Sequence, residues 1–242
     1  MKRGGRMSVE TYATVPVVAA TPLDYYVIVD GSGATAEAVV VEEFVRAPDW
    51  CTVGLDSAVW TPATGWRSSS SFSRGMRADA RLRARVRPVP RSVADAAHRQ
   101  LGGGPLPGEP GLRDRFGDRQ AFPAAAPLLL ASPVAPEGCH ERRVYRTLFA
   151  GDLPADRAAE LAARWPAGHH APAGVLAAGR RRVGGDDHTW ALRRIGGGVA
   201  WAIDLTVALA TAADHSVGPV LHELTTAVRL AGLIPATTER FA

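Results

Sequence analysis

Histidines and carboxylates between positions 169 and 188 are the first group in this sequence whose residue types could do chemistry. Imidazole nitrogens and carboxylate oxygens are ligands that zinc and other divalent ions accept in proteins. The group lacks the tight spacing of zinc motifs, and adjacent polar pairs are equally typical of solvent-exposed loops. A metal-dependent hydrolase is therefore the third of three functional hypotheses for this chain. Its ligands would be His169, His170, Asp187 and His188.

A second histidine pattern lies near the C-terminus, where residues 222–226 read HELTT and begin like the zinc-binding HExxH helix. In that motif two imidazoles one helical turn apart bind the ion, and the glutamate is the general base. Position 226 is threonine, so the second imidazole is missing. The segment predicts an ordinary amphipathic helix with His222 at its polar border.

Patterns for nucleophilic catalysis and for nucleotide binding are also incomplete. Cys51 and Cys139 lack a CxxC companion, and no GxSxG serine motif occurs. The turn at residues 30–33, DGSG, follows a strand-like segment but lacks the third glycine of a dinucleotide fingerprint and the lysine of a P-loop. We therefore predict no catalytic residue and no cofactor from these patterns.

Alternating arginine and apolar residues between positions 77 and 87 are the one charged pattern with a definite physical consequence. A period of two predicts a β-strand with all its charge on one face. A helix is the alternative, because alanine, leucine and arginine are good helix formers, but it would scatter the arginines around its circumference. The predicted strand offers a binding surface made of Arg77, Arg81, Arg83, Arg85 and Arg87.

Three interpretations of this charged strand stay open. Carboxylates on a neighbouring strand, such as Glu42 and Glu43, could neutralise the arginines as structural ion pairs. The same face could instead bind an acidic protein, or a nucleic-acid backbone whose phosphates repeat at a comparable spacing. Sheets that recognise RNA specifically normally add aromatic side chains for stacking, and none is interleaved here.

The elements that must position these residues are clearest in the C-terminal part, residues 141–242. Hydrophobic periodicity predicts strand, helix, strand, strand, helix and strand in that order. This order predicts a ferredoxin-like βαββαβ domain, with both helices on one face of a four-stranded antiparallel sheet and Pro235 on an edge strand. The long connection from His169 to Asp187 has room for an extra strand near Val175, and long connections often carry function.

Residues 22–120 predict a small β-rich domain with one or two short helices. A hairpin encloses the turn at residues 31–33, residues 61–75 form a loop, and a helix begins at Ser92. The Pro/Ala-rich stretch 121–140 predicts a semi-rigid linker, and residues 1–21 predict a flexible leader. The chain is thus expected to be an α+β protein of two small domains.

Composition and charge are those of an ordinary globular protein. The 242 residues are 46% hydrophobic and 21% charged, which is far from the signature of disorder. The net charge is only +4 and Lys2 is the sole lysine, so the arginine excess is what GC-rich codons give. No run approaches the roughly 20 apolar residues of a membrane helix. We expect a soluble cytoplasmic protein, translated from Met1 or Met7, without a membrane partner.

These observations lead to the first hypothesis, a non-catalytic protein-interaction or regulatory module. Its expected contact surfaces are the arginine strand and the open face of the second sheet, its expected partner is another protein, and a homodimer is compatible with it. The second hypothesis is nucleic-acid binding through the strand from Arg77 to Arg87.

Overall fold

The computed structural model describes residues 22–122, 134–166 and 174–242. Two antiparallel β-sheets with helices packed against them make up this part of the chain, which confirms the predicted α+β class. The predicted leader 1–21 lies outside the described residues, as does most of the predicted linker 121–140. The division into two domains stays a prediction.

The first sheet has six strands in the order β4-β3-β2-β1-β5, with β6 also paired to β3. They are β1 (Asp24–Val29), β2 (Ala36–Arg46), β3 (Thr52–Thr61), β4 (Gly65–Ser68), β5 (Val86–Val89) and β6 (Arg119–Ala121). Its helices are α1 (Ser70–Ala78), α2 (Ala80–Arg83), α3 (Arg91–Gln100) and α4 (Glu109–Arg113). The predicted hairpin and the helix near Ser92 are present.

Strand β1 is buried along its whole length, because the first sheet is covered on both faces. Tyr25, Val27 and Val29 pack toward α3 and α4. Tyr26 and Ile28 pack on the opposite face, together with Met76 of α1 and Ile234 from the second sheet. The uninterrupted run of β-forming residues in β1 is therefore that of a strand buried on both faces.

Residues 70–83 form α1 and α2, which corrects both the loop predicted over 61–75 and the single strand predicted over 77–87. Phe72 and Met76 are four residues apart and give α1 its apolar side. The Asp79 carboxylate accepts hydrogen bonds from the backbone N–H groups of Arg81 and Leu82, and so caps α2. Only the last part of the alternating segment, β5, pairs with the sheet.

The second sheet has five strands in the order β11-β7-β10-β9-β8. They are β7 (Glu141–Ala150), β8 (Val175–Val183), β9 (Asp186–Ile195), β10 (Ala200–Leu209) and β11 (Ile234–Arg240). Helices α5 (Ala155–Arg164) and α6 (Val217–Leu230) pack with the inward side chains of the sheet in one hydrophobic core. This core includes Leu161 and Trp165 from the first helix segment, Leu224 from the second, and Trp190 and Trp201 from the hairpin.

The predicted elements of the C-terminal part are present, with Pro235 on the edge strand β11. The four-stranded ferredoxin-like sheet, however, is not confirmed. The long connection contributes β8 as a fifth strand, which pairs with β9 at the far edge. This edge strand holds an arginine run, Arg180 to Arg182.

Trp50 fixes the turn between β2 and β3 onto the start of α6. Its backbone φ of 69° lies in the left-handed region, which side chains of this size rarely adopt. Its indole Nε1 donates to Asp214 Oδ2 at 3.3 Å. The ring lies so close to Gly218 that a Cβ at that position would be 2.2 Å from Cζ3 of Trp50. Tertiary packing therefore holds the backbone of Trp50 in this conformation.

Replacing Gly218 with alanine should destabilise the protein. Alanine is normally better than glycine inside a helix by about 1 kcal/mol, but here its Cβ would collide with the Trp50 ring and cost about 1–3 kcal/mol. Denaturant unfolding measures the change. The matched control is Gly111→Ala in α4, where the nearest atom to a new Cβ is Pro107 Cβ at 3.8 Å. Equal stabilities for the two variants would contradict the Trp50 contact.

Candidate functional site

A cleft of about 220 Å³ lies where α6 meets the first sheet, and we call it the α6 cleft. From α6 it is lined by His222, Thr226, Arg229 and Leu230. Facing them are Pro22, Leu23, Tyr25, Pro90, Arg91 and Glu109. Its walls therefore come from segments that are distant in sequence and that both sheets hold in place.

Arg229 joins α6 to the first sheet beside the cleft. The residue is only 3% exposed, and its Nε lies 2.8 Å from Asp24 Oδ1. Its NH1 donates to the carbonyl oxygens of Tyr25 (3.0 Å) and Val89 (3.2 Å), which are register partners in β1 and β5. Burial raises the pKa of Asp24, although the positive charge of Arg229 opposes this shift. One side chain thus connects α6 to two strands of the other sheet.

A hydrogen-bonded group on the opposite wall centres on the Tyr25 hydroxyl. This hydroxyl donates to Glu109 Oε1 at 3.1 Å and accepts from Arg91 NH1 at 2.8 Å. Arg91 NH2 also donates to the carbonyl oxygens of Leu106 and Pro107. Burial raises the pKa of Tyr25 to about 12, so the phenol is neutral at physiological pH. The wall is rigid, because each of its polar groups is already bonded to another.

Two side chains of residues that line the cleft have no hydrogen-bond partner within the described residues. Thr226 Oγ1 is buried without a partner. His222, one helical turn earlier on α6, makes no hydrogen bond to any of the described residues. Burial lowers the pKa of His222, so its ring is neutral near pH 7 and offers one donor and one acceptor. Sequence analysis placed His222 at a polar border but gave no signal for the cleft.

Asp186, His188 and Ser216 form a second polar group at the start of α6. Ser216 Oγ donates to Asp186 Oδ2 at 2.6 Å and lies 3.2 Å from His188 Nε2. The other ring nitrogen of His188 is 3.2 Å from the Asp186 carbonyl oxygen, and Asp186 Oδ1 accepts from the Ala210 N–H. In a catalytic triad the carboxylate orients the imidazole, whereas here it bonds the serine directly. All three residues are buried, so we interpret the group as a structural link between β9 and α6.

The structure does not bring the described residues of the predicted metal site together. Asp187 and His188 are neighbours on β9 and point to opposite faces of the sheet, with Asp187 exposed and His188 completely buried. His169 and His170 lie outside the described residues, so their part of the hypothesis stays a prediction. Within 22–122, 134–166 and 174–242, no three His, Cys, Asp or Glu residues are grouped to hold a metal ion.

The five arginines of the predicted binding surface do not share one face. Arg77 projects from α1 and is buried against Glu42, with NH2 to Oε2 at 2.7 Å, and its Nε donates to the Pro235 carbonyl oxygen at 2.7 Å. This matches the structural ion-pair interpretation for Glu42, whereas Glu43 pairs with Arg113 instead. Arg77 therefore joins the two sheets and does not lie on an exposed strand.

The other four arginines lie on α2, in the turn that follows it and on β5. Arg83 of α2 donates to the Arg77 carbonyl oxygen, and Arg81 on the same helix is exposed. Arg85 donates to the Val29 carbonyl oxygen and pairs with Glu37. Arg87 bonds to the local carbonyl oxygens of Ala84 and Val86. The chain thus uses most of these guanidinium groups for its own backbone.

A different arginine surface lies on the second sheet, on the side opposite α5 and α6, which we call the helix-free face. Register places five arginines there: Arg142, Arg146, Arg180, Arg182 and Arg193. The same face carries three carboxylates: Asp187, Asp204 and Glu239. Positive charge is therefore in excess on this face.

Most of that excess is at the β8 edge. Arg146 and Arg193 both bind Asp204, at 2.6 Å and 2.7 Å. Arg180 is exposed and has no ion-pair partner among the described residues, and Arg182 is 70% exposed and 3.6 Å from Asp187. Arg181, between them, points to the helix side and donates to Glu223 of α6 at 2.7 Å. Strand alternation thus directs two of three consecutive arginines to the helix-free face.

Comparison of the chain with family models, with curated proteins and with solved structures finds no match. Among the described residues, no helix has the length and apolar composition that crossing a membrane requires.

Replacing Arg229 with methionine should cost about 3–5 kcal/mol of unfolding free energy, because it leaves the buried Asp24 carboxylate unpaired. The double variant Asp24→Asn, Arg229→Met should recover part of this loss, because the uncompensated charge is then gone. The control is Arg157→Met, which removes an exposed ion pair with Glu160 on α5 and should not change stability measurably. A mild effect of Arg229→Met alone, equal to the control, would show that the buried pair does not connect the sheets.

Folding stability should fall with acidification below pH 6.5, in part because of His188. Burial lowers its pKa in the folded state below the ordinary value of 6.5, so the unfolded chain binds this proton more tightly. The contribution is complete above pH 6.5 and is lost as the pH falls through the folded-state pKa. His188→Gln should reduce the slope of stability against pH in that window, measured by urea unfolding. Thr189→Gln, at an exposed residue of the same strand that does not titrate, should leave the slope unchanged.

Proposed function

We propose that the chain is a non-catalytic protein-interaction module that binds an acidic partner protein through the helix-free face of its second sheet. The observation that carries this proposal is the exposure of Arg180 and Arg182 at the β8 edge, next to a face with excess positive charge. A planar guanidinium can bind a carboxylate through two parallel hydrogen bonds. An acidic protein surface supplies such carboxylates.

The surroundings of these arginines suit a flat protein partner. Residues between the charged positions on the helix-free face are small, such as Ala178, Ala191 and Thr189. Small side chains let a partner surface approach the sheet closely, while the charged groups steer its encounter and fix its orientation. The arrangement therefore favours charge-directed docking.

The position of the arginines on an edge strand also affects which partners are accepted. Near the start of β8, the Ala178 N–H donates to the Trp165 carbonyl oxygen, which covers that part of the edge. Charged side chains along an edge discourage pairing with strands of other proteins. The arginine run thus disfavours non-specific β-pairing and leaves a carboxylate-bearing surface as the favoured partner.

The second hypothesis from the sequence was nucleic-acid binding through five arginines on one strand face. These arginines do not share such a face, but nucleic-acid binding by the chain stays a prediction. Phosphates can also engage Arg180 and Arg182, so the experiment must separate the two partner classes. Nucleic-acid binding by phosphate contacts would fall steeply with added salt and would disappear after nuclease treatment.

The test is affinity capture from the native cell with the tagged full chain, quantified by mass spectrometry and followed by binding measurements with the purified partner. The charge-reversal variant Arg180→Glu, Arg182→Glu should lose an acidic partner protein by at least about tenfold in affinity, equivalent to about 1.4 kcal/mol. The matched control Arg67→Glu, Arg74→Glu reverses two exposed arginines elsewhere and should retain it.

Two outcomes would contradict the proposal. Equal loss of the partner in both variants would show that the β8 edge has no special part in binding. Loss of capture after nuclease treatment would show that nucleic acid, and not an acidic protein, occupies the arginine surface.

A further inference from the structure

We infer that the α6 cleft binds a small organic acid, that is, a single carboxylate attached to a compact apolar body. This site is separate from the helix-free face and does not depend on the function proposed for that face. The inference uses the guanidinium of Arg91, the imidazole of His222 on the opposite wall and the apolar residues of the lining.

Arg91 is a cation of the lining that has no carboxylate partner among the described residues. Its NH1 donates to the Tyr25 hydroxyl at 2.8 Å, and its NH2 donates to the carbonyl oxygens of Leu106 (3.2 Å) and Pro107 (2.7 Å). A guanidinium has five N–H groups, so the one on Nε and one on NH1 are left without an acceptor in the described part of the chain. A carboxylate accepts such groups through charge-assisted hydrogen bonds. The three existing bonds hold this cation in place for an anionic ligand.

Glu109 is the one carboxylate among the residues that line the cleft, and it is already bonded to its own wall. Its Oε1 accepts from a backbone N–H at 3.2 Å and from the Tyr25 hydroxyl at 3.1 Å, and its Oε2 lies 3.5 Å from Arg113 NH2. These donors weaken the repulsion between Glu109 and a monoanion. A second negative charge would find no further unpaired guanidinium in the lining, because Arg229 is paired with Asp24. One carboxylate is therefore favoured over a dianion.

His222 offers a hydrogen bond from the opposite wall. Its ring makes no hydrogen bond to the described residues, and it lines the cleft. Burial lowers the pKa of this imidazole, so near pH 7 the ring is neutral and keeps one N–H as a donor. A carboxylate has two acceptor oxygens, which match one donor group on each wall.

The rest of the lining favours an apolar body on the acid. Pro22, Leu23, Pro90 and Leu230 contribute hydrocarbon surface. Leu23 is buried, whereas Leu230 is 40% exposed. A ligand that covers Leu230 removes apolar surface from water, and each methylene that it buries should tighten binding roughly fourfold.

The volume of the cleft limits the size of this body. Pockets for drug-sized ligands usually measure roughly 300–1,000 Å³, and an apolar cavity of about 150 Å³ is enough to bind benzene. At about 220 Å³, the α6 cleft falls between these sizes. Benzoate and hexanoate suit this space, whereas acetate leaves most of the apolar lining uncovered.

Titration calorimetry or ligand-observed NMR on the full chain at pH 7 tests this inference with benzoate and hexanoate. Three further probes each lack one feature: benzamide lacks the charge, acetate lacks the apolar body, and inorganic phosphate has a second charge and no apolar body. Saturable binding of at least one of the two acids is expected, with all three probes at least about tenfold weaker. Binding by neither acid, or any of the three probes binding as tightly as the better acid, would overturn the inference.

Two variants with matched controls locate the binding. Arg91→Met removes the free donors and should weaken binding of the acid at least about tenfold, whereas Arg99→Met, at an exposed arginine of the same helix, should bind like the wild type. Leu230→Asp replaces apolar lining with a negative charge and should weaken binding to a similar extent. Its control is Val199→Asp, at a side chain that is 87% exposed outside the cleft, which should have no effect.

Unchanged affinity in either folded variant would refute the assignment to this cleft. Because Arg91 also bonds to its own wall, Arg91→Met can fail to fold. The comparison of Leu230→Asp with Val199→Asp and the comparison of ligands on the wild-type chain both stay decisive in that case.

The carboxylate can come from a free organic acid or from the C-terminus of another protein. The peptide acetyl-Gly-Gly-Leu, compared with its C-terminal amide, distinguishes these sources. If the peptide acid binds as well as hexanoate and the amide does not, the cleft accepts a protein C-terminus. If only the small acids bind, the ligand is a free acid. Both results support the ligand chemistry inferred here.

Discussion

The buried guanidinium of Arg229 connects the helix that packs on the second sheet to strands of the first sheet. It lies on α6, yet its ion pair is with Asp24 and its carbonyl acceptors belong to β1 and β5. Desolvation makes such a group costly unless every contact is kept. The relative placement of the sheets therefore depends in part on this side chain, and the α6 cleft lies where α6 is held against β1.

Arg77 repeats the same principle on the other side of the first sheet. It bonds to Glu42 of β2 and to the Pro235 carbonyl oxygen of β11, so it too connects the sheets. Arginine suits both positions, because its planar group donates in several fixed directions and keeps its charge when buried. Much of the arginine in this chain thus serves internal architecture. Arg180 and Arg182, which are exposed at the β8 edge, differ from these internal arginines because they have few partners among the described residues.

Local patterns predicted the second sheet better than the first. The amphipathic helix predicted around His222 is present as α6, because its apolar spacing is regular and a glycine follows it. The strand predicted over residues 77–87 was wrong for most of its length. The alternation of arginine with apolar residues has the period of a strand, but alanine and arginine also have high helix propensity, and the cap at Asp79 favours the helix. The α6 cleft had no sequence signal, since tertiary packing brings residues 22–25, 90–109 and 222–230 together. Arg229 also has no sequence signal, because cations are common near the C-terminus of a helix.

The contact between Trp50 and Gly218 has a consequence for how this sequence can change over time. A bulky indole at one position requires the absence of a side chain at the other, although the two are far apart along the chain. Neither position can accept every substitution independently. In divergent copies of this gene, a larger residue at 218 is tolerable only after position 50 has become small, so the two sites should covary. Their joint variation would mark sequences that keep the same placement of the two sheets.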